Sequence, residues 1–275
     1  MKRLMVGMAA LLMAGTALAA RPGDLQKQVE ASMLVTGTIG ITPEGTVLGY
    51  TLDQPERLPP VVSDVVLKNV PRWTFKPVLK DGKPVAAKTK MSLRLVAHPA
   101  GNGNVTVGIK SAYFGDDSAD MRAVHSVMPR YPRQALHDRV GGTVYVLLRI
   151  DPTGKVVDAI AQQVDLQELA GEDLLKHWRD LLAGASLDAV RQWTFTPAAP
   201  GETAAYRYAR MPMSYAVGPS RPAAYGTWES YLPGPLEPQP WSDNDVMLSG
   251  GADALPGDGV YGKQSLSLLT PLDKS

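Results

Sequence analysis

One recurring signature limits what this chain can fold into. A turn, an aromatic tripeptide and a methionine appear twice, in the same order. Thr42-Pro-Glu-Gly45 is followed by Trp73-Thr-Phe-Lys-Pro77 and Met91; Asp151-Pro-Thr-Gly154 is followed by Trp193-Thr-Phe-Thr-Pro197 and Met211. The interval from tryptophan to methionine is 18 residues in both copies. An interval kept to the residue points to an internal duplication, hence to two related units within one chain of 275 residues.

The pattern around each signature is that of strand, turn, strand, helix, short aromatic strand and strand. In the second copy Val144, Val146, Leu148 and Ile150 fall on one face of an extended segment. Asp at the first position, Pro at the second and Gly at the fourth make Asp151-Pro-Thr-Gly154 a type I turn. A return strand over residues 156–164 follows. Leu187, Val190 and Trp193 have helical spacing, so a helix ends near the tryptophan, and Trp193 and Phe195 share one face of a short strand closed by Pro197. In the first copy Val35, Ile39 and Ile41 alternate along a strand, and residues 47–52 return. Pro59 and Pro60 open a helix whose stripe is Val62, Val66 and Val70. Pro71 stops it, and Asp81-Gly82 marks a turn. A last strand over 85–96 puts Met91, Leu93 and Leu95 on one face and Lys88, Lys90 and Arg94 on the other. The arms before the tryptophans differ, 28 residues from Gly45 to Trp73 against 39 from Gly154 to Trp193, so the second helix is longer or doubled.

Taken in order, the Tyr131-Pro132 box, the Gly142-Thr-Val strand, Ile150-Asp-Pro-Thr-Gly154, Leu187-Asp-Ala-Val190 and Trp193-Thr-Phe-Thr-Pro197 resemble the C-terminal domain of the TonB family of energy transducers. The resemblance covers residues 129–216. The first unit, 21–96, lacks the Tyr-Pro box and is the more degenerate copy. The expected fold class is α+β: two tandem TonB-like units, each a small antiparallel sheet of three to four strands packed on a helix. A linker spans 97–128, where Val105, Val107 and Ile109 make a strand that belongs to either unit. A Pro/Gly-rich tail spans 217–275, with eight prolines and no sustained periodicity; it is either disordered or partly ordered, with Trp228, Tyr231 and Trp241 as aromatics suited to docking.

Cysteine is absent, which excludes disulfides, thiolate metal sites and a cysteine-borne lipid anchor. Residues 1–20 have the layout of a secretory signal peptide: Lys2 and Arg3, an apolar run from Leu4, and Ala17-Leu-Ala19 before the cleavage point. The run is short for a membrane span of roughly 20 residues. The mature chain is therefore expected in the periplasm; an uncleaved inner-membrane anchor is the less favoured reading. Removing Lys2 and Arg3 leaves 26 basic against 27 acidic residues, a balance that gives nucleic acid no electrostatic footprint. Residues 21–33, with Leu25, Val29 and Met33 four apart, read as a short amphipathic helix.

No nucleophile, base or metal-ligand set converges in the sequence. His98, His125, His137 and His177 lack ligand spacing, so the chain reads as non-catalytic, with no metal and no cofactor. The candidate for function is the main chain of an edge strand, because a sheet of three or four strands leaves an edge on which a partner strand can add. That edge is the strand over 204–215, where Tyr206, Tyr208 and Arg210 share a face and Pro212 lacks a donor. The resemblance implies the same strand: in TonB-like domains it pairs with an extended peptide of an outer-membrane transporter. The binding residues so implied are Tyr131 and Pro132 of the box, with Ala205, Tyr206, Arg207, Tyr208, Arg210, Met211, Met213 and Tyr215 of the strand. The expected partner is a protein or peptide of the cell envelope. The alternative is an envelope assembly protein whose units associate with copies of themselves.

Overall fold

The computed structural model describes residues 30–101, 104–116, 121–217, 224–241, 251–257 and 259–272. The leader and residues 21–29 of the expected N-terminal helix lie outside them. Met33 does not belong to a helix: strand β1 (Glu30–Ile41) already contains it, and its side chain is buried in the first core.

Two antiparallel sheets repeat one plan. In the first half β1 lies between β2 (Val47–Leu52) and β5 (Ala87–Gly101). In the second, β8 (Gly142–Ile150) lies between β9 (Val156–Leu166) and β11 (Arg207–Tyr215). Each sheet packs a helix on one face: α1 (Pro60–Asn69) on the first, α3 (Glu172–Val190) on the second. α1 buries Val62 and Val66, and Val70 just beyond it, so the apolar stripe read from the sequence faces the sheet. α3 buries Leu175, Trp178, Leu182, Ser186, Ala189 and Val190 along one stripe. It is 19 residues long against 10 for α1, which accounts for the longer arm before Trp193. The architecture is thus α+β with antiparallel sheets and three α-helices among the described residues.

The two turns match in detail. Gly45 and Gly154 have φ of 87° and 92°, a left-handed backbone that glycine adopts without steric cost. Their carbonyls accept from the amides of Phe75 and Phe195 at 2.8 and 2.7 Å. Each turn is thereby sewn to the aromatic segment 30 to 41 positions later, and Trp73, Phe75, Trp193 and Phe195 are all held inside the cores. Trp73, Phe75 and Phe114 meet edge to face, with centroids 5.0 to 6.5 Å apart. The expected turn at Asp81-Gly82 joins β3 (Val78–Lys80) to β4 (Lys83–Val85), with φ of 54° and 73° at its two central residues.

The remaining elements are additions to these two sheets. The span 97–128, read as a linker, carries β6 (Asn104–Phe114), which pairs with β5 from Met91↔Phe114 to Gly101↔Asn104 and so joins the first sheet. β7 (Ala123–His125) pairs with β10 (Thr194–Phe195), and the short helix α2 (Arg133–His137) follows Pro132. The tail docks. β12 (Glu229–Tyr231) adds to the first three residues of β1, and Leu232 then bridges Leu166 on the outer edge of β9. Farther on, Tyr261 bridges Arg210 of β11, and Leu268 bridges Phe75. One chain segment therefore touches both sheets repeatedly, in strand-like fashion. Among the described residues no helix is long and apolar enough to cross a membrane.

Candidate functional site

The strand expected to bind is β11, and its structure starts at Arg207, so Ala205 and Tyr206 precede it. Its register with β8 is unbroken from Arg207↔Ile150 to Tyr215↔Gly142. The amide and carbonyl of Arg210 exchange hydrogen bonds with Tyr261, at 2.7 and 2.8 Å. Residues of even number on β11 therefore turn their main chain away from β8, and the donor that Pro212 lacks belongs to the outer edge. The ladder with β8 loses nothing there.

The side chains on this strand are occupied by packing. Met211, Met213 and Tyr215 belong to the second core, and Tyr208 packs with Leu147 and Trp241 on the opposite face. Arg210 is also buried: its Nε donates to Gln162 Oε1 at 2.7 Å, and burial lowers its pKa to about 10. The guanidinium of Arg207 donates to the carbonyl of Thr196. The Tyr-Pro box does come close: the Tyr131 ring stands edge-on to Tyr215 at 5.3 Å, and its hydroxyl donates to the carbonyl of Val140. Pro132 caps α2. So the box fastens the end of β11 and the start of α2, and what the strand turns outward between Arg207 and Met213 is its main-chain edge. The four histidines lie on four elements, β5, β7, α2 and α3, and do not converge.

A second constellation was not read from the sequence. The faces of the two sheets that point away from their helices meet across a buried polar seam. Its centre is Arg94 of β5, which is 8% exposed. Nε of Arg94 donates to the carbonyl of Asp253 at 2.8 Å, Nη1 to Ser32 Oγ at 3.3 Å, and Nη2 to the Tyr145 hydroxyl of β8 at 3.5 Å. Asp253 stands in a 3-10 turn of the tail (Ala252–Ala254) that touches β5, β6, β9 and β11. Its carboxylate accepts from Ser111 Oγ and from the Tyr231 hydroxyl, each at 2.5 Å. Burial works to lower the pKa of Arg94, but Tyr145, Asp253, Tyr231 and Asp165 around it outweigh that and raise it. Burial raises the Tyr145 and Tyr231 hydroxyls, so both stay protonated, Tyr145 accepting from Arg94 and Tyr231 donating to Asp253.

Asp165 of β9 completes the seam. Its Oδ1 accepts from the amide of Gly234 at 3.0 Å and from Gln163 Nε2 at 2.8 Å, while its Oδ2 is buried without a partner. Burial pushes its pKa up to about 6 from 3.8, against the lowering by the Gly234 amide, Gln163 and Arg94. A carboxyl raised in the fold costs stability once it ionises. That cost is absent below the unfolded value and complete above about pH 6, where it reaches about 3 kcal/mol. Asp165→Asn keeps an acceptor for Gly234 and Gln163 and cannot ionise. The variant is expected to overtake the wild type as pH rises from about 4 to about 7, ending about 1–3 kcal/mol more stable. Denaturant melts across that range measure the difference, and parallel curves for the two proteins would disprove the assignment.

Arg94 was legible only as part of a polar strand face with Lys88 and Lys90. Asp253 sits in a stretch without periodicity, and Asp165 lies between Val164 and Leu166 like any outward residue of a strand. The chain matches no family model, no curated protein and no solved structure.

Proposed function

We propose that this chain is a non-catalytic, exported, TonB-like protein with two tandem units, and that it binds an extended segment of an envelope protein by strand addition on the outer edge of β11. One observation carries the reading. The last strand of each sheet already receives added chain: β5 carries β6 along its outer edge, and β11 carries Tyr261 at Arg210. Strand addition at this position is thus the way the fold itself completes a sheet, and a partner strand at β11 would repeat in trans what β6 does in cis. The leader supports export to the periplasm, and an outer-membrane transporter of the kind served by TonB-like domains fits as the source of the segment. A second reading, an envelope assembly protein, is favoured by the same tail, because segments that add to sheets in cis can exchange between copies; light scattering of the purified protein separates a homo-oligomer from a monomer.

Ser214 supplies the test. Its side chain is exposed, and the parity of β11 directs its amide to the outer edge. A photocrosslinking residue at this position, in cells, should give a discrete adduct with an envelope protein. Ser214→Pro should then weaken that partner at least about tenfold, the value of one lost main-chain hydrogen bond in a dry ladder, whereas Ser214→Ala, which keeps the amide, should not. Undiminished binding by the proline variant would remove β11 as the receptor strand.

A further inference from the structure

The segment that now lies on β11 also reports what the site accepts. Tyr261 presents its main chain to Arg210 and turns its ring inward, where it is 3% exposed. The ring stands edge-on to Tyr113 of β6, with centroids 5.4 Å apart, and packs with Ala254 and Leu255. Its hydroxyl donates to the carbonyl of Pro256. Gly259 makes this pose fit: a Cβ there would lie 2.7 Å from Cζ of the ring. Beside the ring a cavity of about 110 Å³ remains, lined by Gly37, Met91, Ser92, Tyr113, Pro256 and Tyr261. That volume has room for about three waters, or for the second ring of an indole. The Ser92 hydroxyl at this cavity is buried and has no hydrogen-bond partner, so the pocket holds an unmet polar group as well as apolar wall.

We infer that Tyr261 and its flanking glycines are a built-in stand-in for the ligand. The site on β11 takes an extended peptide with a tyrosine or tryptophan opposite Arg210 and small residues beside it, and the tail competes with that peptide. This rests on the strand-addition reading for the main chain; the aromatic pocket adds the side-chain selection. The tail is held on either side of Tyr261. Before it, Arg94 donates to the carbonyl of Asp253 at 2.8 Å; after it, Ser265 donates to the carbonyl of Phe114 at 2.8 Å. Tyr261 is therefore presented at an effective concentration on the order of millimolar, which masks the site from a free peptide.

The test uses the full-length protein and the nonapeptide Pro-Gly-Asp-Gly-Val-Tyr-Gly-Lys-Gln, the sequence of residues 256–264, which in the register of Tyr261 opposite Arg210 extends past Ser214, labelled for fluorescence anisotropy. Two variants empty the pocket by different means: Tyr261→Ala removes the ring, and Gly259→Ala expels it. Both are expected to bind the peptide at least about tenfold more tightly than the wild type, and a peptide with alanine for tyrosine at least about tenfold more weakly. Equal affinity for the two peptides overturns the aromatic pocket. If that unselective binding is lost in the Ser214→Pro background, the main-chain edge survives and only the pocket falls. If ring-selective binding is untouched by Ser214→Pro, strand addition is what fails. Should both variants prove unfolded, the wild type decides by hydrogen exchange: millimolar tyrosine peptide must speed exchange of the Tyr261 amide, and no change overturns the proposal.

Discussion

Replacing Arg94 with leucine is expected to cost about 3–5 kcal/mol of unfolding free energy, the usual penalty for removing one partner from a buried ionic cluster. Leucine fills much of the volume, so the loss is electrostatic. Asp253 loses the guanidinium that donates to its carbonyl, and the carboxylates of Asp253 and Asp165 are left facing each other across a dry seam. The guanidinium also lies 5.5 Å from the centroid of the Tyr231 ring, in cation–π range. Because Asp253 and Tyr231 belong to the tail, the variant should release the tail before it unfolds either sheet. Proteases should therefore cut after residue 224 in Arg94→Leu under conditions that spare the wild type. Adding Asp165→Asn removes one of the stranded charges and should restore part of the loss. A cost below about 1 kcal/mol in denaturant melts would mean that the seam is solvated and Arg94 is an ordinary surface residue.

Gly154→Ala is expected to be the most damaging change of a single methyl group. A Cβ at this position would stand 2.0 Å from the carbonyl oxygen of Phe195, and neither atom can rotate away because the backbone fixes the Cβ and the oxygen is main chain. The left-handed backbone adds about 1–2 kcal/mol for any L-residue. Relieving the clash also separates the Gly154 carbonyl from the Phe195 amide, a further loss of about 1 kcal/mol. The sum is about 3 kcal/mol or more, directed at the contact that holds the aromatic strand β10 against its turn. Gly45→Ala should behave alike, since its Cβ would meet the Phe75 oxygen at 2.1 Å. Gly184→Ala is the control: nothing lies within 4 Å of a Cβ there, the residue is inside α3, and the change should stabilise by about 0.5–1 kcal/mol. Thermal melts of the three variants should separate in that order. A mild Gly154→Ala would show that turn and aromatic strand are not coupled.

Much of the local structure was readable from residues alone, because its causes are local. Alternation placed Val144, Val146, Leu148 and Ile150 on the buried face of β8, four-residue spacing placed Val62, Val66 and Val70 against the sheet, and turn chemistry placed Gly45 and Gly154. The repeat itself followed from one interval counted twice. N-terminal periodicity misled at Met33, where spacing by four, an even interval, is equally compatible with positions on one strand face, and pairing with β5 decided for the strand.

What lay beyond the sequence was the use of edges and of polar faces. Which strand completes a sheet depends on segments far apart: β12 adds to β1 from about 200 positions away, and Tyr261 reaches Arg210 across 51. Such pairing is made by main-chain groups that every residue carries, so composition holds no record of it. The seam was hidden for the opposite reason. Arg94, Asp165 and Asp253 are charged residues of the sort that face solvent, and only the stacking of two sheets with a tail turn between them removes the water and makes each charge depend on the others.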